Sequence, residues 1–202
     1  MKAKAPIIKA PIRLKALGGR KTLLGPLIRL LLLGAVGSVG PGRREVRAES
    51  PAYSEYEVKA TFLFHFVQFI KWPSASGSQM TIGILGDDPF GGALDKIIQG
   101  ESVDGRKLVI KRSRRIDDLK GCQIVFIANS AQGGINANLA GLAGTNALTV
   151  GEQEGFVKQG GMIGFTSGGD KVRFEINTGA AQRAGLEISS RLLKLASRVG
   201  SW

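Results

Sequence analysis

Few residues in this chain have the type and spacing that chemistry requires. His65 is the only histidine, so any dyad or triad that needs a neutral-pH base has one candidate. It lies between Phe64 and Phe66 and about 60 residues from the lone Cys122. Its expected role is structural. Cys122 opens the most apolar stretch of the chain, where a thiol behaves as a small hydrophobe. With a single cysteine no intramolecular disulfide can form, and no cysteine-based zinc site can be assembled.

Asp87 and Asp88 end a β-rich run and are the sharpest polar signal. Acids there could hold Mg²⁺ as in a phosphoacceptor domain, but such a site also needs an acid after the third strand. Asn129-Ser130 stands there instead. Asp87 and Asp88 are therefore expected to shape a turn and cap the next helix. If a small polar ligand binds this fold, Asp87, Asp88, Asn129 and Ser130 are the expected contacts, because such ligands sit at the carboxyl ends of strands. Gly83-Ile84-Leu85-Gly86 does not fit the dinucleotide fingerprint, and no G-K-[ST] phosphate loop occurs. Neither a cofactor nor a metal is implied, and the lack of a catalytic constellation favours a binding protein over an enzyme.

The elements that position these residues follow from periodicity. Residues 55–70 lack Gly and Pro, and apolar residues recur at helical spacing in two adjoining stripes, Val58/Phe62/Phe66/Phe69 and Leu63/Val67/Ile70. A helix apolar on two sides must bury both, one against its own core and the other against further protein, a dimer mate or a partner. Phe64, His65, Gln68, Lys71 and Trp72 are the residues expected nearest such a contact. Pro73 stops the helix.

Strands are expected at 80–85, 108–111, 123–128 and 147–150, with helices over 89–99 and 136–142 between them. That alternation predicts an α/β fold: a single mixed, mostly parallel sheet of about six strands flanked by helices. Residues 162–165 and 172–176, separated by a Gly-bearing loop, should close it with an antiparallel hairpin. The pattern over 179–199 predicts one last helix with Ile188, Leu192, Leu195, Ala196 and Val199 on its packed face. Glu187 and Arg191 are spaced there for an i,i+4 pair.

The 202 residues carry 28 Lys+Arg against 16 Asp+Glu, a net charge of +12. Eleven of the positives and one acid lie in residues 1–48, which leaves 17 positives and 15 acids for residues 49–202. The excess thus belongs to the first quarter, and nucleic-acid binding by the remainder has no electrostatic basis. Residues 1–48 read as an export signal and basic linker: a basic stretch, then an apolar run over 23–39, then small residues. Its uninterrupted apolar part, about ten residues, is short against the roughly 20 that span a bilayer. A periplasmic location after cleavage is expected, with anchoring by an uncleaved signal as the alternative. Residues 49–202 form the expected folded domain.

Several quoted segments resemble one family. Tyr56-Glu57-Val58-Lys59-Ala60-Thr61-Phe62-Leu63-Phe64-His65-Phe66 running into Phe69-Ile70-Lys71-Trp72-Pro73 is similar to the opening of the YfiR (HmsC-like) family of exported bacterial proteins. Gly86-Asp87-Asp88-Pro89-Phe90, Cys122-Gln123-Ile124-Val125-Phe126-Ile127, Gly160-Gly161-Met162-Ile163 and Val172-Arg173-Phe174-Glu175-Ile176-Asn177 follow in the family's order, as does the ending from Ala184 to Ala196. The resemblance implies a periplasmic α/β protein without catalytic activity. Such a protein would bind the periplasmic sensor domain of an inner-membrane diguanylate cyclase and hold it inactive, lowering cyclic di-GMP and biofilm formation. It also implies sequestration by an OmpA-like outer-membrane lipoprotein, and a homodimer. The alternative is a small-ligand-binding sensor domain working with a histidine kinase. Redox control through intrachain disulfides, a family trait, should be absent here because Cys122 has no partner in the chain. The mass of the mature N-terminus tests the export reading: a cleaved product is expected, and an intact Met1 in the soluble fraction would overturn it.

Overall fold

A computed structural model describes residues 54–73, 77–168 and 171–202. The expected export signal and linker lie outside the described residues. So do Gly169 and Asp170 of the hairpin loop.

The first helix, α1 (Glu55–Phe69), starts from a complete capping box. The Ser54 hydroxyl accepts from the Glu57 N–H at 3.3 Å, and the Glu57 carboxylate accepts from the Ser54 N–H at 2.7 Å. Ile70 leaves helical geometry, and β1 (Ile70–Lys71) follows before Trp72 and Pro73. The chain then builds β2 (Gln79–Leu85), α2 (Ala93–Ile98), β3 (Ser102–Val103), β4 (Arg106–Ser113) and a short 3-10 helix (Ile116–Leu119). Next come β5 (Ile124–Ile127), α3 (Gly134–Gly141), β6 (Leu148–Gly151), β7 (Ile163–Gly168) and β8 (Lys171–Asn177). The last elements are α4 (Thr178–Arg183), β9 (Glu187–Ile188), α5 (Ser190–Leu195) and β10 (Arg198–Gly200).

Eight strands form the main sheet in the order β10-β8-β7-β6-β5-β2-β4-β3. The five from β4 to β7 are parallel, while β7 and β8 pair as the expected antiparallel hairpin, Phe165 opposite Phe174. The mixed, mostly parallel α/β sheet is thus as the alternation predicted, and the strands beyond six are the short edges β3 and β10. Both faces are covered. Along β5, Ile124 and Phe126 enter a core shared with α1, α2 and α5, while Val125 and Ile127 enter a second core under α3 and the 3-10 helix. A strand buried on both faces has to be apolar at every position, as this one is.

The C-terminal stretch departs from expectation. It is not one helix over 179–199. Gly185 adopts φ +73, and the Leu186 N–H reaches back to the Ala181 carbonyl at 2.9 Å, which closes α4 with a left-handed cap. Glu187 and Ile188 then pair with Lys71 and Ile70 of β1, and the Ser189 hydroxyl caps α5. Glu187 therefore bonds Lys71 at 3.5 Å instead of forming the helical pair with Arg191. Leu195 and Val199, expected on a packed face, are 63% and 45% exposed. The expected helix over 89–99 also shrinks to Ala93–Ile98, because Asp88 accepts from the Phe90 N–H at 2.8 Å and holds the preceding residues in a turn.

Gly185→Ala should cost about 1–2 kcal/mol, because a Cβ is penalised in left-handed geometry and would stand 3.3 Å from the Pro73 ring. Urea unfolding of the variant measures this.

Candidate functional site

What faces outward on α1 is decided by what α1 buries. Lys59 is a helix residue whose side chain is only 5% exposed, and Glu152, just past β6, is 4% exposed. The Lys59 Nζ donates to Glu152 Oε2 at 2.6 Å and pairs with Glu55 at 2.6 Å. The Tyr56 hydroxyl donates to Glu152 Oε1 at 3.4 Å, and the ammonium lies 4.7 Å from the Tyr56 ring centroid. Burial acts to lower the Lys59 pKa, but the hydrogen bonds to Glu152 and Glu55 outweigh it and hold it above the usual lysine range. Burial, reinforced by the Glu152 charge, raises the Tyr56 phenol. Farther along, Phe62 and Phe66 pack on Phe165 and Phe174 of the hairpin with centroids 5.2–6.2 Å apart.

With those contacts made, the opposite flank of α1 faces solvent. Glu57, Val58, Thr61, Phe62 and His65 line a shallow groove of about 480 Å³, walled mainly by apolar atoms. Phe62 has one side in the aromatic cluster and the other at the groove. The Phe174 carbonyl accepts both the Ser197 N–H and hydroxyl at 2.9 Å, which ties the α5–β10 connection to the ring that packs Phe62.

The residues expected nearest a partner are only partly brought together. Phe64, His65 and Gln68 adjoin: the Phe64 and His65 centroids are 5.9 Å apart, and His65 Nδ1 lies 3.4 Å from Gln68 Oε1. Phe64 is half-buried against the first core. Lys71 is exposed in its strand pair with Glu187. Trp72 turns inward, and its Nε1 donates to the Gln123 carbonyl at 3.2 Å, at the amino end of β5. Of the five, His65 alone lines the groove. Glu57, Val58, Thr61 and Phe62 were not anticipated. Val58 and Phe62 were visible as part of one apolar stripe, but the phase of the helix depends on the inward turn of Lys59.

The expected ligand contacts do converge. The parallel strands run in the order β4-β2-β5-β6-β7, so the direction of winding reverses between β2 and β5, the place where doubly wound sheets open a crevice. Here the turns after β2 and β5 touch each other across it. The Ser130 hydroxyl accepts from the Asp87 N–H at 2.8 Å, and Gly86 (φ +97) lies so close that a Cβ would sit 2.8 Å from Ser130 Oγ. Arg112 bridges Asp88 and Asp95 at 2.6 Å each, and Arg114 pairs with Asp87 at 2.6 Å. Both acids are thus paired within the chain, Asp87 in an exposed pair, and Asn129 is exposed beside them. A larger cleft, about 640 Å³, opens at the opposite ends of the strands, between the α3–β6 connection and α4, with Arg183 and Asn146 among its polar residues. Among the described residues no group of three or more His, Cys, Asp or Glu side chains could hold a metal. Burial pushes the Cys122 thiol up to about 11. Among the described residues no helix is long and apolar enough to cross a membrane.

Residues 56–197 match a family model described as YfiR/HmsC-like. No curated protein matches the chain. A conserved domain protein from Vibrio cholerae O1 biovar El Tor is similar in structure at 12% identity and a TM-score of 0.49, with 72% of this chain and 60% of that one covered. The ABC domain in complex with L-Trp from Streptococcus pneumonia aligns at 13% identity and a TM-score of 0.44, covering 60% of this chain and 55% of its own. The chain therefore spans less than two thirds of either structure, and neither likeness carries the functional reading.

Removing one member of the buried pair should be costly. Glu152→Gln is expected to lose about 3 kcal/mol of stability by leaving the Lys59 ammonium undercompensated. Lys59→Met combined with Glu152→Leu should recover most of that loss in the same unfolding measurement.

Proposed function

Since the chain belongs to the YfiR/HmsC-like family, we propose that it is an exported, non-enzymatic regulator that represses the extracytoplasmic sensor domain of an inner-membrane signalling enzyme. The enzyme is a diguanylate cyclase that controls cyclic di-GMP and biofilm formation. In this reading residues 1–48 direct export, residues 49–202 are the binding domain, and the mature protein acts in the periplasm.

The observation that carries the reading is the α1 flank. Val58, Phe62 and His65 border an exposed apolar groove, on a domain where Asp87 and Ser130, at the usual ligand crevice, are bonded to each other. Phe64 and Gln68, beside His65, extend the same contact. Repression is a population shift: the groove binds the inactive conformation of the sensor domain more tightly than the active one. An OmpA-like outer-membrane lipoprotein, or a second copy of this chain, would release or modulate the cyclase by competing for this flank.

A second reading, a ligand sensor working with a histidine kinase, is favoured by the cleft beside Arg183, which is of the size that holds small molecules.

Deleting the gene should raise cellular cyclic di-GMP, and the wild-type chain should restore it. Thr61→Arg sets a bulky charge on an exposed groove position and should fold normally yet fail to restore repression. Its binding to the sensor domain should be weaker by about tenfold or more, roughly 1.4 kcal/mol. Gln132→Arg, on the loop before α3, should behave as wild type. An unchanged cyclic di-GMP level on deletion would overturn the cyclase assignment.

A further inference from the structure

The cleft between the α3–β6 connection and α4 is lined by charge of one sign. Its volume, about 640 Å³, lies in the range of small-molecule sites. Leu139, Leu142 and Met162 give it apolar walls. The neutral polar side chains there are already used. The Thr145 hydroxyl donates to the Leu142 carbonyl at 2.7 Å, the Thr149 hydroxyl accepts from the Met162 N–H at 3.1 Å, and the Asn146 amide donates to the Ala184 carbonyl at 3.0 Å. Arg183 remains. It is exposed, and among the described residues its guanidinium has no hydrogen bond or ion pair. An unpaired cation says little on its own, because Lys96, Lys107 and Lys158 are unpaired as well. The difference lies in what surrounds each one. Lys96 and Lys107 line a cleft with Asp95, and Lys158 lines one with Glu154 and Glu175. Among the described residues no Asp or Glu lines the cleft of Arg183. An anion there meets a cation and no like charge, whereas an ammonium meets the cation and no carboxylate.

Resting on the ligand-sensor reading, we propose that this cleft binds a small organic anion with one carboxylate on an apolar body and no ammonium group. The Arg183 guanidinium takes the carboxylate through its planar fork of N–H donors, a geometry that matches two parallel hydrogen bonds. The apolar body covers Leu139, Leu142 and Met162 and is removed from water by them. A zwitterion such as an α-amino acid fits less well, because its ammonium gives up water without gaining a counter-charge. A neutral isostere keeps the apolar burial and forfeits the charge-assisted bonds. The cleft therefore selects by charge at one end and by apolar surface at the other.

Isothermal titration of the purified protein with hydrocinnamate, its primary amide and phenylalanine compares an anion, a neutral molecule and a zwitterion on one apolar body. Hydrocinnamate should bind saturably, and the other two should bind about tenfold more weakly or worse. Arg183→Gln should weaken hydrocinnamate to the level of the amide without changing the urea midpoint, since Arg183 is exposed and unpaired. Lys158→Gln removes an exposed cation from the other cleft and should bind like wild type. Equal or tighter binding of the amide or of phenylalanine would overturn the anion assignment and leave the sensor reading standing. Hydrocinnamate binding that survives Arg183→Gln would lie elsewhere and would overturn it too. So would the absence of saturable hydrocinnamate binding. The sensor reading itself falls on a different result, an unchanged output of the partner kinase when the gene is deleted.

Discussion

The Lys59 ammonium sets how α1 can lie. A lysine in the first turns of a helix ordinarily points to water, and desolvating it without a counter-charge costs several kcal/mol. Here Glu152 arrives from the carboxyl end of β6 and accepts from it at 2.6 Å, with Glu55 completing the charge balance one turn earlier. The pair fixes the rotation of α1 about its own axis. Ala60, Leu63, Phe66 and Val67 then face the sheet, Val58 and His65 face outward, and Phe62 lies at the boundary with one side in the aromatic cluster. A helix turned a third of a revolution the other way would bury the groove and expose Leu63.

The sequence made much of the scaffold legible, for physical reasons that differ by element. Ile124 to Ile127 could be recognised as a central strand because burial on both faces leaves no polar position. The hairpin was legible because two β-rich runs flank a glycine-bearing loop. The C-terminal stretch was not, although Ile188, Leu192, Leu195 and Val199 have helical spacing. Gly185 closes α4, the β1–β9 pairing pulls residues 187–188 into extended form, and Ser189 starts a new helix. Local periodicity lost there to a tertiary pairing with a residue 118 positions away in Ile70 and Ile188.

The same distinction governs the candidate site. That Asp87, Asp88, Asn129 and Ser130 lie together could be read from strand order alone, because the turns after β2 and β5 are neighbours at the reversal point. That their charges are consumed by Arg112 and Arg114 could not, since nothing in the spacing of those arginines identifies their partners. The apolar excess of α1 was visible, but its outward phase was hidden in a pair 93 residues apart. Lys59 beside Glu55 reads as an ordinary solvated pair until Glu152 is placed.

The outward flank of α1 is the surface proposed to meet the target. Site-specific photo-crosslinking in living cells tests it most directly, with a photoreactive amino acid at Thr61 in the groove or at Gln132 before α3. An adduct is expected at Thr61 with an integral inner-membrane protein that carries an extracytoplasmic domain, and none at Gln132. Adducts confined to Gln132, or none at Thr61 in cells where the chain demonstrably represses, would contradict it.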